Sequence, residues 1–228
     1  MKLSSNSFKD GDAIPGEYAF CVPHATTHVT MSDNHNPHLA WCDVPAGTKS
    51  LTLIAHDPDV PSRSDEVNQE GKTVAADLPR VDFFHWVLID LPVSATEIAA
   101  ASFSNGITQH GKSGPAISDA PMVGADTTAR QGLNDYTGWF AKDPDMAGDY
   151  FGYDGPCPPW NDALMHRYIF TLYALDIARL PLDGKFGGAQ VREAMKSHIL
   201  AQTSMHGTYS LNPDVTDAAI NEQGNSLA

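Results

Sequence analysis

The stretch 151–176, FGYDGPCPPWNDALMHRYIFTLYALD, decides how the rest of the chain is read. In its first half Gly155, Pro156, Pro158 and Pro159 crowd into five residues. Each proline fixes φ and removes a backbone donor, and the residue before it is pushed toward extended geometry. Neither a helix nor an inner strand fits there. The second half, residues 167–175, is aromatic, β-branched and apolar, which predicts a buried strand. A stiff loop therefore feeds a core strand, with His166 and Arg167 at the join, where a rigid scaffold presents polar groups.

Two more core strands are predicted. Residues 50–56, SLTLIAH, alternate Leu51, Leu53 and Ala55 with Thr52, Ile54 and His56. This strand runs into Asp57-Pro58-Asp59. Pro58 at the second position of a turn lets Asp57 fold its carboxylate back onto backbone amides, a purely structural role. The functional alternative has one of these carboxylates lining a pocket. Residues 83–91 are nearly continuous in apolar residues, carry His85 and stop at Pro92. Asp143-Pro144-Asp145 repeats the same three letters, but no apolar strand leads into it, and it reads as an acidic turn.

Between these strands the chain is mostly loop. Residues 62–80 and 137–150 are long and polar. Residues 103–139 hold many turn formers, among them Asn105-Gly106, Gly111, Gly114-Pro115 and Pro121. Residues 94–97, SATE, form a capping-box pattern that predicts a short helix to about Ala101. The strongest helical period lies in 187–202, where Val191, Met195 and Ile199 fall at four-residue steps. Thr208 to Leu211 reads as a last short strand. Several strands, long loops and few short helices predict one mostly-β, sandwich-like antiparallel domain over residues 1–228. It has an irregular lead-in over about 1–20 and a polar tail from about 213.

Composition narrows the function. The formal net charge of −14 disfavours nucleic acid and anionic membranes as partners. No apolar run is long enough to span a bilayer, so stable membrane insertion is not expected, and the opening MKLSSNSFKDGD lacks the apolar core of a signal peptide. A cytoplasmic protein is expected, with Cys21, Cys42 and Cys157 as buried reduced thiols. His24, His28, His35 and His38 cluster in sequence, but the β-branched residues around the first two argue for extended chain rather than a metal-binding helix face.

The order Asp57-Pro58-Asp59-Val60-Pro61, then His85-Trp86, then Gly155-Pro156-Cys157-Pro158-Pro159 and His166-Arg167-Tyr168 resembles the phosphatidylethanolamine-binding protein family, in its bacterial and archaeal Raf-kinase-inhibitor-like branch. Asn36-Pro37-His38-Leu39-Ala40-Trp41 and Asn134-Asp135-Tyr136 are weaker echoes. The resemblance implies a large antiparallel sheet packed on a smaller one, with peripheral helices that include one near the C-terminus. It also implies a non-catalytic binding or regulatory protein whose pocket takes phosphate or a phosphoethanolamine-like anion. The matching positions are Asp57, His85, Gly155, Pro156 and His166, with Asp59 beside them and Tyr153 as the candidate pocket tyrosine. Neither a cofactor nor a metal is implied. A kinase or a protease is the kind of protein partner implied, and a homodimer is a reasonable assembly.

Two other readings stand beside this one. A hydrolase would use Asp57, His85 and His166 with Cys157 or a metal. A protease-inhibitor-type docking module would work through the long loops. The chain departs from the family pattern where Trp160 to Met165 replace a short glycine-containing run. Trp160 is expected to lid or narrow the pocket there.

Overall fold

A computed structural model describes residues 1–117 and 129–216. Pro121 and the tail beyond Thr216 lie outside these residues. The strands are β1 (Lys2–Ser4), β2 (Cys21–His24), β3 (His28–Met31), β4 (Leu39–Cys42), β5 (Ser50–Pro61), β6 (Arg80–Leu91), β7 (Glu97–Ile98), β8 (Arg130–Gln131), β9 (His166–Leu175) and β10 (Ile199–Tyr209). The helices are α1 (Tyr136–Trp139) and α2 (Gly188–Met195), and Gly16–Tyr18 form a single 3-10 turn.

Five strands make the main sheet in the order β10-β9-β5-β6-β8, antiparallel throughout. A three-stranded sheet, β1-β4-β7, and the hairpin β2–β3 stand apart from it in hydrogen bonding. Strand alternation sorts the main sheet's side chains into two cores. Leu51, Leu53, Ala55, Trp86, Leu88, Phe170 and Leu172 share one with Leu39, Trp41 and Ile98 of the small sheet. Ile54, Val87, Ile89 and Tyr173 face the other way, under Val191 and Met195 of α2. The molecule is thus a mostly-β sandwich with a helix on its outer face, as the strand pattern predicts. No helix among the described residues is long and apolar enough to cross a membrane.

Three expectations are corrected. The helix of 187–202 is half as long, and Ile199 opens β10, opposite Leu175 of β9. The four-residue spacing carried across the turn at 196–198 by coincidence, and pairing along β9 over the whole length of β10 overrode it. That last strand therefore starts at Ile199 and not at Thr208. The capping-box segment forms no helix, because Glu97 and Ile98 pair with Ala40 and Leu39, which buries Ile98 in the sandwich core. Finally, Cys21 and Cys157 are joined in a disulfide, with Cα atoms 4.9 Å apart. A separation of 136 residues hid that proximity, which arises because Phe20 and Cys21 dock on the carbonyl of Pro156. Cys42 is free and exposed.

Candidate functional site

Asp57, His85 and His166 come from three neighbouring strands, β5, β6 and β9, at one end of the main sheet. Asp57 sits opposite Phe83, and the side chains two residues on from His166 and back from His85, Tyr168 and Phe83, share their faces. The Asx turn expected at Asp57 forms: the amide of Asp59 donates to Asp57 Oδ1 at 2.7 Å. The other carboxylate oxygen, Oδ2, lies 2.7 Å from His166 Nδ1. The turn and the pocket role of Asp57 are therefore compatible, one on each oxygen.

His166 is fully buried between two carboxylates, with Asp162 Oδ2 at 3.1 Å from Nε2. Burial alone would lower its pKa. The hydrogen bonds and charges of Asp162 and Asp57 outweigh that and raise it to about 9, so the ring is an imidazolium at neutral pH. Asp162 is gripped in turn by Arg80, through Nη1 at 2.5 Å and Nη2 at 3.0 Å. Burial acts to raise the Asp162 pKa, but its bonds to His166 and Arg80 win, and the net shift is down. The result is a buried line of alternating charge, Asp57, His166, Asp162, Arg80.

His85 is held differently. Its Nδ1 lies 2.8 Å from the carbonyl oxygen of Asp154, which can only accept, so Nδ1 carries a proton. Burial is the main influence on this ring and lowers its pKa below 6.5. The ring is therefore neutral at pH 7, and Nε2 is the nitrogen left for a ligand. Asp154 is itself buried and anchored by Asn34 at 2.8 Å, Lys112 at 2.7 Å and Asn134 at 2.8 Å.

Asp57, His85 and Tyr168 line a cavity of about 760 Å³. Its remaining wall is largely apolar: Phe20, Val29, Val60, Phe83, Phe140 and Pro158 among others. Met31 and Trp139 also line it and are 58% and 52% exposed. Arg63 is the Lys or Arg side chain among the lining residues, and Asp135 adds a second carboxylate. One oxygen of Asp135 accepts from the amide of Phe84 at 2.8 Å, and burial raises its pKa.

The other expected site residues lie behind this lining. His166 supports Asp57 from beneath. Asp59 is taken up by Arg167, which donates to its two oxygens at 2.8 Å each, so Arg167 turns away from His166 as neighbouring strand positions must. The Gly155 amide donates to Asn34 Oδ1 at 2.8 Å, and its carbonyl accepts from Tyr136 Oη at 2.8 Å. A Cβ at Gly155 would collide with the carbonyl of Tyr18, which is why glycine is required. Pro156 O accepts the amides of Phe20 and Cys21, and the next residues, Cys157 and Pro158, line the cavity. Tyr153 is buried against Trp86 and donates to Tyr18 O at 2.6 Å.

The tyrosines that do line the cavity are Tyr136 and Tyr168. Burial raises the pKa of both, so they are neutral phenols. Tyr168 was legible as the residue two after His166, and Tyr136 as part of Asn134-Asp135-Tyr136. Asp162 had no sequence signal beyond its place in the departing run 160–165. Trp160 stands elsewhere too, stacked on the His28 ring at 3.8 Å in a second groove of about 700 Å³. Among the described residues, no group of three or more His, Cys, Asp or Glu side chains is placed to hold a metal ion.

Comparison with known proteins points one way. The model of the phosphatidylethanolamine-binding protein family matches residues 4–210. The chain is 33% identical over 210 residues to YbhB of Escherichia coli K12, covering 92% of this chain and all of that one. A crystal structure of a phosphatidylethanolamine-binding protein homologue from Chlamydia trachomatis is similar, with a TM-score of 0.58 at 28% identity over 92% of this chain and 96% of that one. The crystal structure of Escherichia coli YbcL shares the fold, with a TM-score of 0.63 at 23% identity over 92% and 97% of the two chains.

Proposed function

The chain belongs to the phosphatidylethanolamine-binding protein family, and from that premise we propose that it is a non-catalytic binding protein for small phospho-headgroup-like anions, phosphate or phosphoethanolamine among them. The observation that carries this reading is the pairing of Asp57 and His85 in an otherwise largely apolar cavity, each with its orientation locked from behind. Preorganised polar groups in an apolar cleft are the common pattern of a small-molecule site. His85 takes up a proton as the anion arrives and then donates from Nε2. Asp57 accepts from a protonated phosphate oxygen or from an ammonium group. The apolar wall holds the rest of the ligand.

A hydrolytic alternative finds less support. Both ring nitrogens of His166 already face carboxylates, and the sulfur of Cys157 is bonded to Cys21. The exposed Met31 and Trp139 favour an added regulatory role, in which a protein partner such as a kinase or protease docks over the mouth.

NMR titration with inorganic phosphate and phosphoethanolamine tests the proposal, in the parent, His85→Gln and Asp57→Asn. Affinity on the order of millimolar is expected in the parent. It should weaken about tenfold in His85→Gln, the loss expected for one charge-assisted hydrogen bond. Shifts confined to the second groove, or equal affinity in all three proteins, would overturn it.

A further inference from the structure

The Cys21–Cys157 disulfide is the covalent tie between two parts of the cavity wall that are otherwise held by hydrogen bonds and ring stacking. One is the hairpin β2–β3, a two-stranded sheet that pairs with no other strand among the described residues. The other is the proline loop 155–159. Both cysteines line the cavity. Beside the covalent bond, the amides of Phe20 and Cys21 reach Pro156 O at 2.9 and 3.2 Å, Tyr209 Oη donates to Cys21 O at 2.8 Å, the Gly155 amide donates to Asn34 Oδ1 just past the hairpin, and the His28 ring stacks on Trp160. The floor is fastened independently, because β5 lies between β6 and β9 in the main sheet.

We propose that this bond is a redox gate on the cavity. Its reduction frees the hairpin from the proline loop and speeds ligand exchange, and its re-formation closes the wall. The gate rests on the cavity being the binding site. The reductant is a dithiol. One of its thiolates attacks the sulfur of Cys157, the half-buried partner, since Cys21 is only 7% exposed. The disulfide breaks, and Cys21 leaves as a thiolate that takes a proton. The second thiolate of the reductant then attacks the mixed disulfide, Cys157 leaves and is protonated, and the reductant ends as its own disulfide. Two electrons and two protons pass to the protein. A disulfide of the same class reverses the sequence. The compartment's redox poise thereby sets whether the wall is stapled.

Hydrogen exchange on the full chain tests the gate, with and without dithiothreitol. Thiol titration checks reduction, which should raise the free thiols from one to three per chain. Amide exchange over residues 20–31 should rise by about tenfold or more while β5 and β9 stay protected, the pattern of a local opening. Cys157→Ser should show the fast pattern without reductant and ignore dithiothreitol. The dissociation rate of anilinonaphthalene sulfonate, an anionic head on an apolar body, should rise in parallel. Unchanged exchange over 20–31 after full reduction would overturn the gate. Equal loss of protection in every strand would overturn it too, making the bond a general staple. Exchange is read without ligand, so failure of the probe to bind would count against the cavity reading alone.

Discussion

The chain uses the tripeptide Asp-Pro-Asp twice, and the two copies fold alike locally. In each, the first aspartate accepts from the amide of the second, at 2.7 Å for Asp57 and 2.9 Å for Asp143. Their surroundings have nothing in common. Asp57 is buried inside β5 with His166 against its free oxygen, and Asp59 is held by Arg167. Asp145 is exposed, and Asp143 serves only the turn that leads to Met146 and Ala147. The turn is written in three letters; the site is written in the strands that bring partners to it.

The sharpest break between the copies should appear in stability. Asp57→Ala leaves the buried His166 with one carboxylate, and breaking a buried pair this way costs about 3–5 kcal/mol. Asp143→Ala removes one turn bond at the surface and should cost about 0.5–1 kcal/mol. Urea unfolding of both variants at pH 7 compares them, and equal losses would erase the distinction.

Titration of His166 should have a nearly equal effect. Its folded pKa of about 9 stands above the ordinary 6.5, so the folded state binds the proton more tightly. That contribution, on the order of 3 kcal/mol, is fully present below pH 6.5 and is lost as pH rises through 9. Stability of the parent should therefore fall between pH 7 and 10, and His166→Gln should remove most of that slope. The Asp143 copy, whose turn meets His110 only through the carbonyl of Ala147, should leave the slope untouched when mutated.

A smaller effect belongs to Arg167→Ala. Its side chain is 54% exposed, so solvent screens the pair with Asp59 and the loss should be about 1 kcal/mol despite the two-point contact. A loss as large as that of Asp57→Ala would mean that Asp59, and not Asp57, anchors the copy in the sheet.

The same contrast shows what the sequence could carry. The three core strands and the turn at Asp57 were legible, because alternation and proline chemistry are local, whereas the convergence of Asp57, His85 and His166 was implied only by the family resemblance. Which layer each residue occupies was not legible. His166 was expected to line the pocket and lies behind Asp57, because Asp162, from a run with no pattern of its own, closes over it with Arg80 of β6. His85, not His166, is thus the histidine that lines the cavity. Tyr153 and Tyr136 exchanged places for a similar reason: only packing shows which phenol faces inward. The capping box at 94–97 and the period through 187–202 failed where strand pairing over long separations overrode a local helix signal.

The smallest effect is expected in the pH dependence of anion affinity. Because burial keeps His85 neutral at pH 7, phosphate must bring a proton with it. Affinity should fall as pH rises from about 6 to about 8.5, and His85→Gln should flatten the curve. His166, with its pKa of about 9, stays charged through most of that window and so does not produce the slope.

A crystal structure of the protein soaked in phosphoethanolamine at about pH 6 tests the central claim most directly, since proton uptake by His85 favours the complex there. The account predicts a phosphate oxygen within hydrogen-bond distance of His85 Nε2, the Asp57–His166 pair intact beneath, and the organic end against the apolar wall. Density in the second groove beside Trp160 with the Asp57–His85 cavity holding only solvent would contradict it.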